Sequence, residues 1–158
     1  MKINILRTIL IIMLLGIFWI IFGFSNQNGE ESGGLSKKIT IIITKNIKSI
    51  QNMNEEAKES KIKHIEHFVR KLAHFSLYTI VGFLTMSLMS TYNLKMSKEV
   101  IISVIIGNIY AFFDEFHQSF IPGRAASLKD VGIDSLGVIF GVLIVVILAK
   151  IVKKLKKI

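Results

Sequence analysis

The sequence predicts an all-α membrane protein with four transmembrane helices and an amphipathic interfacial helix in the first loop. Three observations predict it. Apolar residues make up 51% of the 158 residues, and mean hydropathy is +0.55, above the usual level for a water-soluble domain of this size. They gather into four runs, at about 6–24, 72–89, 100–116 and 131–149, each near the ~20 residues that cross a bilayer. Lysines flank these runs rather than interrupting them, and glycine is common while proline occurs once. Residues 1–158 are read as a single membrane unit.

The excess of 20 Lys and Arg over 11 Asp and Glu gives a net charge of +9. Because the basic residues border apolar runs, they are read as membrane-surface charges, and no nucleic-acid partner is expected. The chain has no cysteine, which excludes disulfides and thiol chemistry.

The first run follows Lys2 and Arg7 and carries no charge from Thr8 to Phe24. Its first half has the layout of a signal peptide, but no small-x-small cleavage pattern follows, so it is read as an uncleaved span. Trp19 and Phe24 fall toward its far end, where aromatic rings favour the interface. Residues 25–34 form a polar, glycine-bearing break. From Leu35 to Ile50, isoleucines recur near helical spacing with Lys37, Lys38, Lys45 and Lys48 between them. That pattern is an amphipathic helix, on the bilayer surface or packed on the protein itself.

Asn52 and Glu55 have capping-box spacing and predict a new helix there. It is polar at first and apolar from Leu72 to Met89. Residues 25–71 are accordingly read as one outer loop. His67, Lys71, His74 and Tyr78 recur every three or four residues, which places them on one face. Residues 90–99 are a polar link, with Ser97 the expected cap. Val100–Phe116 is the third span, about 25 Å long at 1.5 Å per residue. The fourth, Val131–Ala149, is preceded by the turn Ile121-Pro122-Gly123-Arg124 and by Ser127 and Asp130 at capping-box spacing. Gly137 and Gly141 are a small-xxx-small pair that lets another helix approach closely.

Residues 110–137 hold four of the eleven acids, together with His117, Arg124 and the only proline, between two apolar helices. A charge at the bilayer centre costs about 2.5–3.5 kcal/mol even on the lenient scale, so such acids are functional candidates. Asp114, His117 and Gln118 share a helix face, and Glu115 points about 100° away. Asp130 is explained equally well as a helix cap; Asp134, one turn deeper, is not.

These residues carry a resemblance. Arg70-Lys71-Leu72-Ala73-His74-Phe75, with Tyr78 and Gly82, resembles the first signature of the VanZ-like family. Asp114-Glu115-Phe116-His117-Gln118, Pro122-Gly123-Arg124, Asp130 and Asp134-Ser135-Leu136-Gly137 with Gly141 resembles the second, and Phe24-Ser25-Asn26-Gln27 also fits. The resemblance covers most of the chain and is poor only over about 28 to 60. The family's namesake is associated with low-level resistance to teicoplanin, a glycopeptide antibiotic. The resemblance therefore implies a multi-pass protein of the bacterial cell membrane, linked to the cell envelope, and implies no particular reaction.

The candidate site is His74, Asp114, Glu115, Gln118 and Arg124, binding or catalytic, with Lys71, Tyr78, His117, Asp130 and Asp134 supporting it. One reading is an enzyme on a lipid-linked or amphiphilic envelope substrate. In it Arg124 holds a phosphate or carboxylate, and His74 and Asp114 exchange protons. A second is binding without turnover, of a lipid headgroup, a lipid-linked cell-wall precursor or the glycopeptide, or a purely structural ion-pair network. A third, a small transporter using Asn108, Asp134 and His74, is disfavoured because four spans show no internal repeat. No cofactor is expected. No metal is expected either: His74, Asp114, Glu115 and His117 are ordinary ligand types, but no HExxH-like spacing supports them and Arg124 opposes a cation. The bilayer is the one certain partner, and the oligomeric state is open. The lysine-rich tail and the basic N-terminus predict cytoplasmic termini, against a first loop that is also basic. The 114–130 turn then lies on the outer face.

Overall fold

The computed structural model describes residues 2–156, leaving aside the side chains of 29–33 and 35. The chain is an all-α membrane protein. Its helices are α1 (Lys2–Ser25), α2 (Gly29–Lys45), α3 (Lys48–Gln51), α4 (Glu55–Met89), α5 (Met96–Gln118) and α6 (Leu128–Leu155), with no strand among the described residues. α1, α4, α5 and α6 are long and apolar enough to cross a membrane. They run up and down. Arg7 near the start of α1 donates to the Thr91 carbonyl at 2.6 Å, just past the end of α4. At the other end Gln118, closing α5, donates to Ser25, closing α1, at 3.1 Å.

The outside of the bundle is apolar: Ile12, Leu15, Trp19, Ile105, Phe113, Leu143 and Ile147 are all exposed. That is the surface a hydrocarbon solvent requires. The inside combines a hydrophobic cluster of Ile17, Ile21, Tyr78, Val81, Leu84, Ala111 and Val138 with small and polar residues. α5 turns Ser103, Gly107, Ala111, Asp114 and Gln118 inward, and α6 turns Asp134, Gly137, Val138, Gly141 and Val142 inward. Lipid tails are as apolar as leucine, so close backbone packing rather than hydrophobic burial draws such helices together.

The closest packing is between α4 and α6. A Cβ added at Gly141 would lie 2.0 Å from the Thr79 carbonyl oxygen, and one at Gly137 would lie 2.5 Å from that of Phe75. From the other side, a Cβ at Gly82 would lie 2.0 Å from the Val138 carbonyl oxygen. The small-xxx-small pair on α6 therefore meets α4, with Gly82 as the reciprocal gap. The fit brings His74 on α4 alongside Asp134 on α6.

The stretch 25–71 is largely helical, as the two helices read there predict: α2, α3 and the first turns of α4 fill it. Several boundaries differ from those expected. α2 ends at Lys45 rather than near Ile50. The Thr44 carbonyl takes the Ile47 amide (3.1 Å) and the Gln51 side-chain amide (3.1 Å), which closes the helix early. α2 lies against α4 with Ser36, Thr40 and Thr44 buried, while Ile39, Ile42 and Ile43 are exposed. The packing of this helix on the protein itself is thus observed, and its isoleucine face is left exposed. The Leu35 side chain lies outside the described residues. α4 begins at Glu55, capped by Asn54, whose side chain accepts from the Ala57 amide at 2.9 Å, in place of Asn52. α5 begins at Met96, so Ser97 lies inside it.

Candidate functional site

The site is built at the end of the bundle where α1 and α5 finish and α6 starts. Three devices place its side chains. In the first, the Arg124 amide donates to the Ile121 carbonyl at 3.1 Å, closing a turn. Gly123 occupies its third position at φ 77°, a conformation side chains resist. The turn aims Arg124 back at α1, where its guanidinium donates to the Phe24 carbonyl at 2.9 Å. A helix C-terminus has carbonyls to spare and a partial negative charge.

In the second, Glu115 accepts from the Ser127 backbone amide at 2.7 Å. Ser127 is the N-cap residue of α6, but its own side chain makes no cap bond. The predicted capping box is not formed. A carboxylate from α5 serves that helix end instead, and Asp130, freed from capping, pairs with Lys71.

The third is a buried relay. Tyr78, fully buried, donates its hydroxyl to Asp114 Oδ2 at 3.0 Å. Gln118 donates to the same oxygen at 3.1 Å and also to Ser25 Oγ. The carboxylate joins α4 to α5, and Gln118 carries the link on to α1 through Ser25. Asp134 is also buried, with His74 Nδ1 3.8 Å from its Oδ2, too long for a hydrogen bond.

These groups surround a cavity of about 200 Å³. His67, Arg70, Lys71, His74, Glu115, Gln118, Arg124, Asp130 and Asp134 are its polar walls. Of the predicted residues, His74, Glu115, Gln118, Arg124, Lys71, Asp130 and Asp134 therefore share one space. Asp114 and Tyr78 lie behind that wall. His117 is turned away and stacks on Phe22, ring centroids 5.0 Å apart. A second, more apolar cavity of about 320 Å³ is lined by Phe24, Ile39, Val69, Ala73, Leu77 and Ile80 among others. Arg70, His74 and Arg124 line both.

The family model for VanZ/LLP1 matches residues 10–149, nearly the whole chain. The chain belongs to the VanZ/LLP1 family. No curated protein and no solved structure matches it. In this VanZ/LLP1 chain most of the motif residues read from the sequence converge at one end of the bundle. Sequence reasoning missed roles rather than positions. Arg70, His67 and Ser25 all lie in the motifs or on the polar stripe, yet nothing local marks Arg70 as facing Arg124, or Ser25 as a partner of Gln118.

The electrostatics of the cavity mouth follow from this layout. Partial burial and the charge of Arg70 push the Arg124 guanidinium below its ordinary value. Arg70 is held by Glu66 at 3.3 Å, one turn earlier on α4. The Nε atoms of both arginines are buried and have no hydrogen-bond partner. Two guanidiniums thus line one space with donors to spare. Among the described residues, His67, Lys71, His74, Glu115, Asp130 and Asp134 are the lining side chains of the polar cavity that can act as acid, base or nucleophile.

Proposed function

We propose that this protein binds an anionic amphiphile of the cell envelope, with the headgroup in the polar cavity and the apolar chain in the adjoining one. The observation that carries this reading is the shared wall: Arg70, His74 and Arg124 border both spaces. A phosphate or carboxylate between the two guanidiniums would satisfy their spare donors and offset their mutual repulsion. The apolar cavity, between α2 and α4, suits a hydrocarbon chain. A lipid-linked cell-wall precursor has this chemistry.

On the positive-inside reading, the termini are cytoplasmic and the site opens on the outer leaflet. Occupying or sequestering a precursor there would protect its target from a glycopeptide, which accounts for a teicoplanin-resistance role. The test is teicoplanin susceptibility of a host expressing the parent, Arg70→Ala or Arg124→Ala, with membrane abundance quantified. Binding of an undecaprenyl-phosphate-type lipid to the purified protein is measured in parallel. Each alanine variant is expected to weaken lipid binding about tenfold or more, since a hydrogen bond to a charged group contributes about 1.5–3 kcal/mol. Resistance should fall with it at equal abundance. Undiminished lipid binding in both variants would reject the reading.

A specific observation favours a second, structural role for part of the set. The Tyr78–Asp114–Gln118–Ser25 relay is mutually satisfied and closed. Asp114→Asn is therefore expected to lower stability as well as any resistance, and protein abundance is the readout that separates the two.

A further inference from the structure

Behind the cavity wall, three helices each bring one ligand-type side chain to a common point. His74 from α4, Asp114 from α5 and Asp134 from α6 place a ring nitrogen and two carboxylate oxygens within 4.8 Å of one another. Atoms bound to a single ion at about 2.0–2.2 Å stand about 3–4 Å apart. The 3.8 Å between His74 Nδ1 and Asp134 Oδ2 is too long for a hydrogen bond and fits two ligands of one ion.

A second observation points the same way. Asp134 is 1% exposed, yet its Oδ2 has no hydrogen-bond partner. A buried anion with an unfilled lone pair is costly. Among the described residues no Lys or Arg forms an ion pair with Asp134: Lys71 pairs with Asp130, Arg70 with Glu66, and Arg124 donates to the Phe24 carbonyl. His74 can bring at most one positive charge to two buried carboxylates. Asp114 is held in place by Tyr78 and Gln118, the kind of orienting hydrogen bonds that carboxylate ligands of metals carry.

We infer that His74, Asp114 and Asp134 form a site for a divalent cation of the Mn²⁺ or Zn²⁺ kind. One imidazole and two carboxylates suit such ions better than thiolate-seeking ones. Three protein ligands leave coordination open toward the cavity that His74 and Asp134 line. The cation site does not depend on the amphiphile reading.

The experiment uses the full chain in detergent, stripped with a chelator and titrated with Mn²⁺ alone. Bound ion is followed by loss of the free-ion electron paramagnetic resonance signal. About one equivalent should bind, displaced by Zn²⁺, with ¹⁴N coupling from an imidazole. His74→Gln and Asp134→Asn should weaken binding about tenfold or more. Glu59→Gln, exposed and paired with Lys63, should leave it unchanged. Circular dichroism and monodisperse elution check that the variants fold. If a variant fails that check, the ¹⁴N coupling in the parent decides. The inference is overturned if the parent shows no saturable binding of either ion, if the bound ion lacks ¹⁴N coupling, or if both folded variants bind as the parent does. The three residues would then be a carboxylate network neutralised by a protonated histidine.

Discussion

Tyr78 shows how much one side chain carries in this bundle. It is fully buried, and its hydroxyl is one of two donors to Asp114 Oδ2. Tyr78→Phe keeps the ring packing and removes only the donor. A carboxylate deprived of one of two bonds in an apolar setting should cost about 1 kcal/mol of stability. Denaturation of the purified protein checks this, and an unchanged midpoint would show that Asp114 does not depend on the relay. Arg124 is a different case. It is held by one backbone carbonyl at the mouth of the cavity, so its replacement should affect ligand binding more than stability. Replacing Gly123 by Ala would strain a turn at φ 77° and displace the arginine, giving a weaker version of the Arg124→Ala effect on binding.

At the scale of elements, the α4–α6 contact decides the geometry. Gly82, Gly137 and Gly141 each leave space that the backbone or side chains of the facing helix fill. A methyl group at Gly141 would meet the Thr79 carbonyl oxygen 2.0 Å away, which no side-chain rotation relieves. Gly141→Ala should therefore destabilise by about 1–3 kcal/mol or more and shift His74 away from Asp134. Gly16→Ala on α1, where nothing lies within 4 Å, is the comparison. It should be neutral or stabilise by up to about 1 kcal/mol through better helix propensity. Equal losses in unfolding assays of the two variants would mean that close approach is not what holds α4 to α6. α2 is held differently, by a strip of Ser36, Thr40 and Thr44, and its isoleucines are exposed.

For the whole molecule, the up-and-down path puts the start of α1 and the end of α6 at one end and the candidate site at the other. The absence of cysteine makes this directly measurable. Single cysteines at Lys2, Lys156 and Ala126 can be labelled in intact cells with a membrane-impermeant thiol reagent. Ala126 should label from outside, and Lys2 and Lys156 only after permeabilisation. The reverse pattern would place the site on the cytoplasmic leaflet and remove the link to an extracellular glycopeptide, leaving the binding geometry untouched.

What the sequence determined by itself was the class of molecule and the location of its chemistry. Four apolar runs of spanning length are enough for the helices, because hydrocarbon permits little else. The acids between 114 and 134 and the stripe from His67 to Tyr78 were conspicuous because charge near an apolar run is costly. The roles within that set were decided only by tertiary structure. The spacing predicts capping boxes at Asn52 and Ser127, but Asn54 caps α4 by accepting from the Ala57 amide, and Glu115 from the neighbouring helix takes the Ser127 amide. His117 shares a helix face with Asp114 in the sequence and was turned onto Phe22 by the packing of α1. Asp134 joined His74 and Asp114 because three glycines let α4 and α6 approach closely. Spacing within a helix is written in the sequence; distance between residues 40 positions apart depends on how closely the backbones can pack.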